Sequence, residues 1–213
     1  MRSALRLCLV TNIGSIPLPQ YEVFLQRALQ GGVTSVQLRE KTINPESRPR
    51  AIRIKKITDL YGVPLFINDD VNLAKEIGAH VHLGPSDMYP PKARKILGSD
   101  AIIGWSVETL GELERANQMA CIDYIGASAV FYSKTKTNCK TYWGLEGLQE
   151  LHERSRHPVV AIGGINQTNI SEVIQYCEGV AVVGAIHDFE NPQAAAEDLI
   201  SQMNQRKSLC FCK

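Results

Sequence analysis

No stretch of about 18 or more apolar residues runs through this 213-residue chain, so nothing in it reads as a membrane-spanning helix. Charge of one sign is not in excess either. The formal net charge is +1 and no long basic stretch occurs, which leaves sequence-independent nucleic-acid binding without electrostatic support. The six cysteines (Cys8, Cys121, Cys139, Cys177, Cys210, Cys212) include no C-x-x-C pair, as suits free thiols in a reducing cytoplasm rather than a metal or disulfide framework. Cys210 and Cys212 lie past the last predicted helix, in a tail where termini are usually disordered. Met1 to Val10 is apolar but broken by Arg2 and Arg6, with no small-residue cleavage pattern behind it, so it reads as a first strand and not as a signal peptide. No Gly/Ser-rich linker interrupts the chain, and no G-x-G-x-x-G follows the first strand.

What the chain does have is an ordinary globular composition, 44% hydrophobic and 21% charged, and enough length for one sizeable core. Short β-rich runs alternate eight times with amphipathic stretches. The strands read as Leu5 to Val10, Ser35 to Leu38, Pro64 to Ile67, His80 to Leu83, Ile102 to Trp105, Tyr124 to Gly126, Val159 to Ile162 and Gly179 to Val183. Helices are expected near 20–30, 50–61, 71–77, 90–97, 109–119, 145–153, 168–177 and 192–203. Pro49 places the start of the second helix at Arg50, and Gly31-Gly32, Gly78 and Gly98 follow helix ends. Eight βα units in this length favour a single α/β domain, a closed (β/α)8 TIM barrel over residues 1–205, with 206–213 as a C-terminal tail.

In such a barrel the loops after the strands build one face, and the polar motifs of this chain fall on that side. From the second strand come Gln37, Arg39 and Lys41, alternating along an extended chain and therefore pointing the same way. Burying unpaired cations is costly, which favours a functional use for them over a structural one. The third strand ends in Asn68-Asp69-Asp70, and the fourth leads through Gly84 to Asp87. One carboxylate from each adjacent loop, Asp69 and Asp87, suits Mg²⁺ beside a substrate phosphate, while Asp70 reads as the cap of the next helix.

After the sixth strand, Phe131 to Thr137 is dense in hydroxyls and ammonium groups and opens a long loop reaching Trp143. Loops of this kind are lids, disordered segments or plain solvated surface, and composition alone leaves these open. Gly163-Gly164 and Gly184-Ala185 are small residues after the seventh and eighth strands, the habitual phosphate position of such barrels. His80 and His82 share a side of the fourth strand, yet the nearby carboxylates suit a hard cation and no further histidine supports a metal there. His152, His157 and His187 show no obvious partners, and Ser106 has neither an adjacent histidine nor a G-x-S-x-G elbow, which disfavours a hydrolase nucleophile.

The blocks VQLREK, LFINDDVNLA, GAHVHLGPSDM, IIGWS, DYIGASAVFYSKTK, WGLEGL, PVVAIGGI and GVAVVGAI, in this order, resemble those of the thiamine-phosphate synthase family from about Leu5 to Leu199. The resemblance implies a Mg²⁺-dependent transferase that joins hydroxymethylpyrimidine diphosphate to thiazole phosphate, releasing pyrophosphate and giving thiamine phosphate. By match of motif, Gln37 would hold the pyrimidine, and Arg39, Lys41, Asn68 and Lys136 the diphosphate. Asp69 and Asp87 would bind Mg²⁺. Ser106 would lie near the pyrimidine and diphosphate, with Ser133 and Thr135 in the phosphate-binding loop; Gly164, Val183 and Gly184 would contact the thiazole phosphate end. Lys136, Ser106 and Arg39 would be the catalytic set. The implied partners are the two small-molecule substrates, with no nucleic acid and no membrane, and a homo-oligomer is left open.

Three positions depart from the family pattern. Ser133 replaces the usual Thr and keeps a hydroxyl, Gly184 replaces the usual Ser and loses one, and Glu108 stands where the family commonly has His. Two rivals follow: a thiazole tautomerase-like barrel, for which the strand-five histidine is missing, and a non-catalytic regulatory barrel binding thiamine intermediates. Retention of Asn68, Asp69 and Thr135-Lys136 favours diphosphate chemistry over both.

Overall fold

Alternation along each strand sets the architecture, because side chains two apart share a face and each face must meet its own partner. The computed structural model describes residues 3–40, 44–133 and 140–205. Its strands are β1 (Leu7–Val10), β2 (Ser35–Leu38), β3 (Leu65–Asn68), β4 (His80–Leu83), β5 (Ile103–Val107), β6 (Tyr124–Ser128), β7 (Val159–Ile162) and β8 (Gly179–Val182). All pair in parallel in chain order, and β1 pairs with β8 to close the barrel. The expected (β/α)8 fold is therefore the observed one. Among the described residues no helix is long and apolar enough to cross a membrane.

One face of every strand carries branched apolar residues toward the helices: Leu7 and Leu9, Val36 and Leu38, Leu65 and Ile67, Val81 and Leu83, and so on round the ring to Val180 and Val182. These join the helix stripes in the main core. The other face looks into the barrel and is less uniform. Cys8, Val10, Phe66, Tyr124, Val160 and Ala181 pack there as a second cluster. Gln37, Asn68, His82 and Ser106 occupy the same parity nearer the strand C-termini and line a cavity instead of filling a core layer.

The helices are α1 (Leu18–Gln30), α2 (Ser47–Leu60), α3 (Val71–Ile77), α4 (Pro90–Leu97), α5 (Leu110–Ala116), α6 (Gly144–Arg154), α7 (Ile170–Val173), α8 (Gly184–His187) and α9 (Pro192–Gln205). Three of these correct the sequence reading. α2 begins at Ser47 and carries Pro49 in its first turn, where a missing N–H is harmless because those groups have no intrahelical acceptor. α7 is a single turn, shorter than the expected 168–177. α8 is not foreseen at all; it turns the chain directly after β8. Gly31 also has a different reason from the one expected. Its φ is −76°, an ordinary helical value, but a Cβ there would sit 2.3 Å from the Gln193 carbonyl oxygen, so it allows α1 to approach α9.

Candidate active site

A cavity of about 540 Å³ opens at the C-terminal end of the strands and reaches down into the barrel. Among the residues around it are Gln37, Arg39, Asn68, Asp69, Asp87 and Ser106, six of the positions singled out from sequence. They come from four successive strand ends, β2 to β5, which is how a parallel barrel gathers residues scattered in sequence. Lys41, Thr135 and Lys136 lie outside the described residues, as do Cys139, Cys210, Cys212 and the 206–213 tail.

Local chemistry fixes several of these side chains. The Gln37 amide donates from Nε2 to Asn68 Oδ1 at 2.7 Å, so the carbonyl end of Gln37 and the NH2 of Asn68 have no partner among the described residues. Arg39 is held by its backbone, whose N–H donates to Thr11 Oγ1 at 3.0 Å. Its half-buried guanidinium makes no ion pair among the described residues, an arrangement whose cost is relieved when an anion binds. Asp70 caps α3 as expected, its Oδ1 accepting from the Leu73 N–H at 2.9 Å. Asp69 is the only described non-glycine residue at positive φ, +69°, with its N–H donating to the His82 carbonyl at 2.9 Å. Strained backbone of this kind gathers where a side chain must be aimed. Asp87 faces the same cavity; its Oδ2 accepts from the Gly84 N–H at 2.6 Å.

Two hard carboxylates on adjacent loops, with no soft ligand between them, form a donor set suited to a small divalent cation. Among the described residues no group of three or more His, Cys, Asp or Glu could hold a metal unaided. That includes His80 and His82. His80 uses Nδ1 to accept from the Ile102 N–H at 3.1 Å, and burial pushes its pKa below the ordinary value.

A second cavity of about 580 Å³ adjoins the first and shares Ser128, Ile162 and Ala181 with it. Here lie Ser133, Gly164, Val183 and Gly184. Gly164 lets the β7 turn pass close under the β6 loop: a Cβ there would stand 2.5 Å from the Tyr132 carbonyl oxygen. Its described lining includes no lysine or arginine, so an anion in it would rely on backbone N–H groups and hydroxyls. The missing hydroxyl at Gly184 acquires a structural counterpart, since a Cβ at that position would lie 2.6 Å from Asp188 Oδ2.

Several cavity residues escape the sequence reading. His82, Ser86, Tyr124, Glu108 and Lys140 all border the first cavity. Ser106 has no histidine beside it in the chain, yet His82 Nε2 lies 2.8 Å from its Oγ, brought there because β4 and β5 pair with His82 opposite Gly104. Glu108, the departure from the family pattern, keeps the inward parity of Ser106 and is buried; its Oε2 accepts from the Lys140 N–H at 3.3 Å. Lys140 Nζ in turn lies 2.8 Å from Glu112 Oε1. Burial alone would raise the Glu112 carboxyl, but the Lys140 ammonium, the Glu108 N–H and Arg115 together hold it below the usual range. His187 proves to have partners as well: its Nδ1–H donates to the Val183 carbonyl at 3.0 Å, and Nε2 lies 3.0 Å from the Tyr21 hydroxyl. Parity along β4 and β5 was the available signal for His82 and Glu108.

The chain matches a family model described as thiamine monophosphate synthase over residues 7–186. A thiamine-phosphate synthase of Vibrio parahaemolyticus serotype O3:K6 is 45% identical over 205 residues, covering 95% of this chain and 100% of that protein. One of Chlamydia abortus is 40% identical over 197 residues, covering 91% of this chain and 92% of its own. Among solved structures, a thiamine phosphate pyrophosphorylase from Pyrococcus furiosus superposes with a TM-score of 0.84 at 33% identity, over 96% of this chain and 98% of that one.

Proposed function

The chain belongs to the thiamine monophosphate synthase family and carries the transferase activity of a thiamine-phosphate synthase, and from that premise we propose how its residues divide the work. The substrates are hydroxymethylpyrimidine diphosphate and thiazole phosphate, and the products are thiamine phosphate and pyrophosphate. The observation that carries the assignment of roles is the meeting of the Arg39 guanidinium, which makes no ion pair among the described residues, with Asn68, Asp69, Asp87 and Ser106 around one cavity.

In this reading the pyrimidine seats against Gln37, whose carbonyl end has no partner among the described residues, and the diphosphate lies against Arg39 and the Asn68 NH2, with Lys41 and Lys136 completing its neutralisation. Asp69 and Asp87 would hold Mg²⁺, which on binding lowers the charge of the departing diphosphate. The C–O bond to the diphosphate breaks with its electron pair leaving on the oxygen. The pyrimidine methylene cation so formed is captured by the thiazole nitrogen lone pair, which makes the new C–N bond. No protein nucleophile is required, only fixed positive charge, donors aimed at the leaving oxygen, and exclusion of water. The second cavity takes the thiazole phosphate on the Gly164 and Val183-Gly184 turns, with Ser133 and Thr135 supplying hydroxyls. The setting that goes with this chemistry is the cytoplasm, in keeping with the free thiols of Cys8, Cys121 and Cys177.

The rival without catalysis and the tautomerase rival both predict no pyrophosphate. Mixing the protein with both substrates and Mg²⁺ and following pyrophosphate separates them: release that requires both substrates supports the assignment, and none removes it.

A further inference from the structure

We propose that Tyr124 and His82 are positioning residues that fix the direction of a buried hydrogen-bond chain, so that Ser106 presents its hydroxyl proton to the cavity and toward the diphosphate oxygen that gains charge on leaving. This deepens the reading above and rests on it. The chain of contacts is continuous. The Tyr124 hydroxyl lies 2.9 Å from His82 Nδ1, and His82 Nε2 lies 2.8 Å from Ser106 Oγ.

Its polarity follows from satisfying the deepest member. Tyr124 is 4% exposed at the floor of the barrel, and burial holds its phenol far above the ordinary pKa, so it keeps its proton. Among the described residues that hydroxyl has one hydrogen-bond partner, His82 Nδ1. A buried O–H with no acceptor costs about 1–3 kcal/mol, which disfavours the arrangement in which Nδ1–H donates to the phenol and strands the phenolic proton. The Tyr124 O–H therefore donates to Nδ1. In a neutral imidazole the proton then sits on Nε2 and is donated to Ser106 Oγ. With that oxygen already accepting from His82, the Ser106 proton turns away from the ring and toward the cavity it borders.

The barrel interior is shaped to hold this relay. At inward position 104 a Cβ would lie 2.2 Å from Tyr124 Cζ and 2.4 Å from its oxygen, and at 126 it would lie 3.0 Å from His82 Cε1. Glycine at both positions is what admits the two rings. Phe66 then meets Tyr124 edge-on, with ring centroids 5.7 Å apart at 86°, and limits its rotation.

The relay is tested first in the ligand-free wild-type protein by ¹⁵N chemical shifts of labelled histidine, with His82 assigned through His82→Gln. For the neutral ring, read at about pH 8, above the range in which histidine charge ordinarily changes, an Nε2–H tautomer is the expected result. An Nδ1–H tautomer there overturns it. In the pyrophosphate assay, Tyr124→Phe should lower kcat about 10-fold, a milder loss than the roughly 100-fold expected when the Ser106 donor itself is removed. KM for thiazole phosphate should not move. His82→Gln, which can still offer an amide N–H to Ser106, should retain more activity than His82→Leu. Adding Tyr124→Phe to Ser106→Ala should cost nothing further. A wild-type kcat in Tyr124→Phe, or an equal loss when Ser106 is already alanine, contradicts the relay. If Tyr124→Phe fails to fold, the wild-type tautomer decides the matter. Failure of the wild type to release pyrophosphate would count against the assigned reaction and leave the tautomer test standing.

Discussion

Gly164 and Gly62 form a matched pair for a substitution experiment. Both have φ of +64°, but a Cβ on Gly62 meets nothing within 4 Å, whereas one on Gly164 would stand 2.5 Å from the Tyr132 carbonyl oxygen and 2.7 Å from Phe131 Cβ. Alanine at either site incurs the left-handed backbone penalty of about 1–2 kcal/mol, offset by about 0.4–1 kcal/mol of lost freedom in the unfolded chain. Gly62→Ala should therefore destabilise by about 1 kcal/mol. At Gly164 the obstacle is largely backbone, which cannot swing aside, and overpacking adds about 1–3 kcal/mol. For a chain of this length the extra term corresponds to a further drop in Tm of about 2–12 °C. Phe131 and Tyr132 must also shift, carrying Ser133 with them, so the second cavity loses its shape. Urea denaturation and steady-state pyrophosphate release measure both consequences. Gly164→Ala should raise KM for thiazole phosphate by about tenfold or more, the effect of about 1.4 kcal/mol lost at that subsite, while Gly62→Ala leaves it alone. Equal destabilisation of the two variants, with unchanged KM in both, would refute the claim that the β7 turn is held against the β6 loop to build a phosphate site.

The adjacent carboxylates Asp69 and Asp70 should separate cleanly. Asp70→Ala should cost about 0.5–2 kcal/mol in denaturation with turnover kept, since its Oδ1 caps α3, whereas Asp69→Asn, a residue that tolerates the positive φ at that position, should abolish most turnover. Chelation with EDTA should stop pyrophosphate release and added Mg²⁺ restore it; full activity after chelation would exclude the assigned metal role. Lys136→Ala should lower kcat strongly without altering the far-UV circular dichroism. Burial lowers the folded-state pKa of His80 and His187 below the ordinary histidine value of about 6.5, so the unfolded chain binds more protons as pH falls. Stability from these two groups is thus complete above about 6.5 and declines below it, and His187→Phe should flatten the fall in Tm between pH 7.5 and 5.5.

Much of the fold is legible because the barrel repeats one simple rule. Apolar residues at alternate positions of every strand face the helices, and turn residues punctuate each unit, so eight βα units can be read from the chain alone. The site is legible where parity and strand end coincide, as at Gln37, Arg39 and Asn68, and where a cap can be told from its neighbour, as at Asp70 and Asp69. Contacts across strands are not legible in the same way. The pairing of His82 with Ser106 joins residues 24 apart, and it depends on the β4–β5 register, which sequence spacing does not specify. Gly104 and Gly126 look like ordinary strand glycines until the rings of Tyr124 and His82 are placed beside them. Pro49 misleads for a related reason: proline is read as a helix breaker, but its effect depends on whether it falls in the first turn or later. Asp188 beside Gly184 is a contact made by α8, a turn of helix too short to leave a periodic signal.

In the proposed site one rim of this barrel collects Arg39, Asn68, Asp69, Asp87 and Ser106 around a magnesium-bound diphosphate. A crystal structure with pyrophosphate and Mn²⁺ in place of Mg²⁺ tests it most directly, because the anomalous signal locates the cation without interpretation of water. A peak touching the carboxylates of Asp69 and Asp87, with pyrophosphate oxygens against the Arg39 guanidinium, is the expected result. Pyrophosphate and cation bound together elsewhere on the barrel, with this cavity holding only solvent, would contradict it.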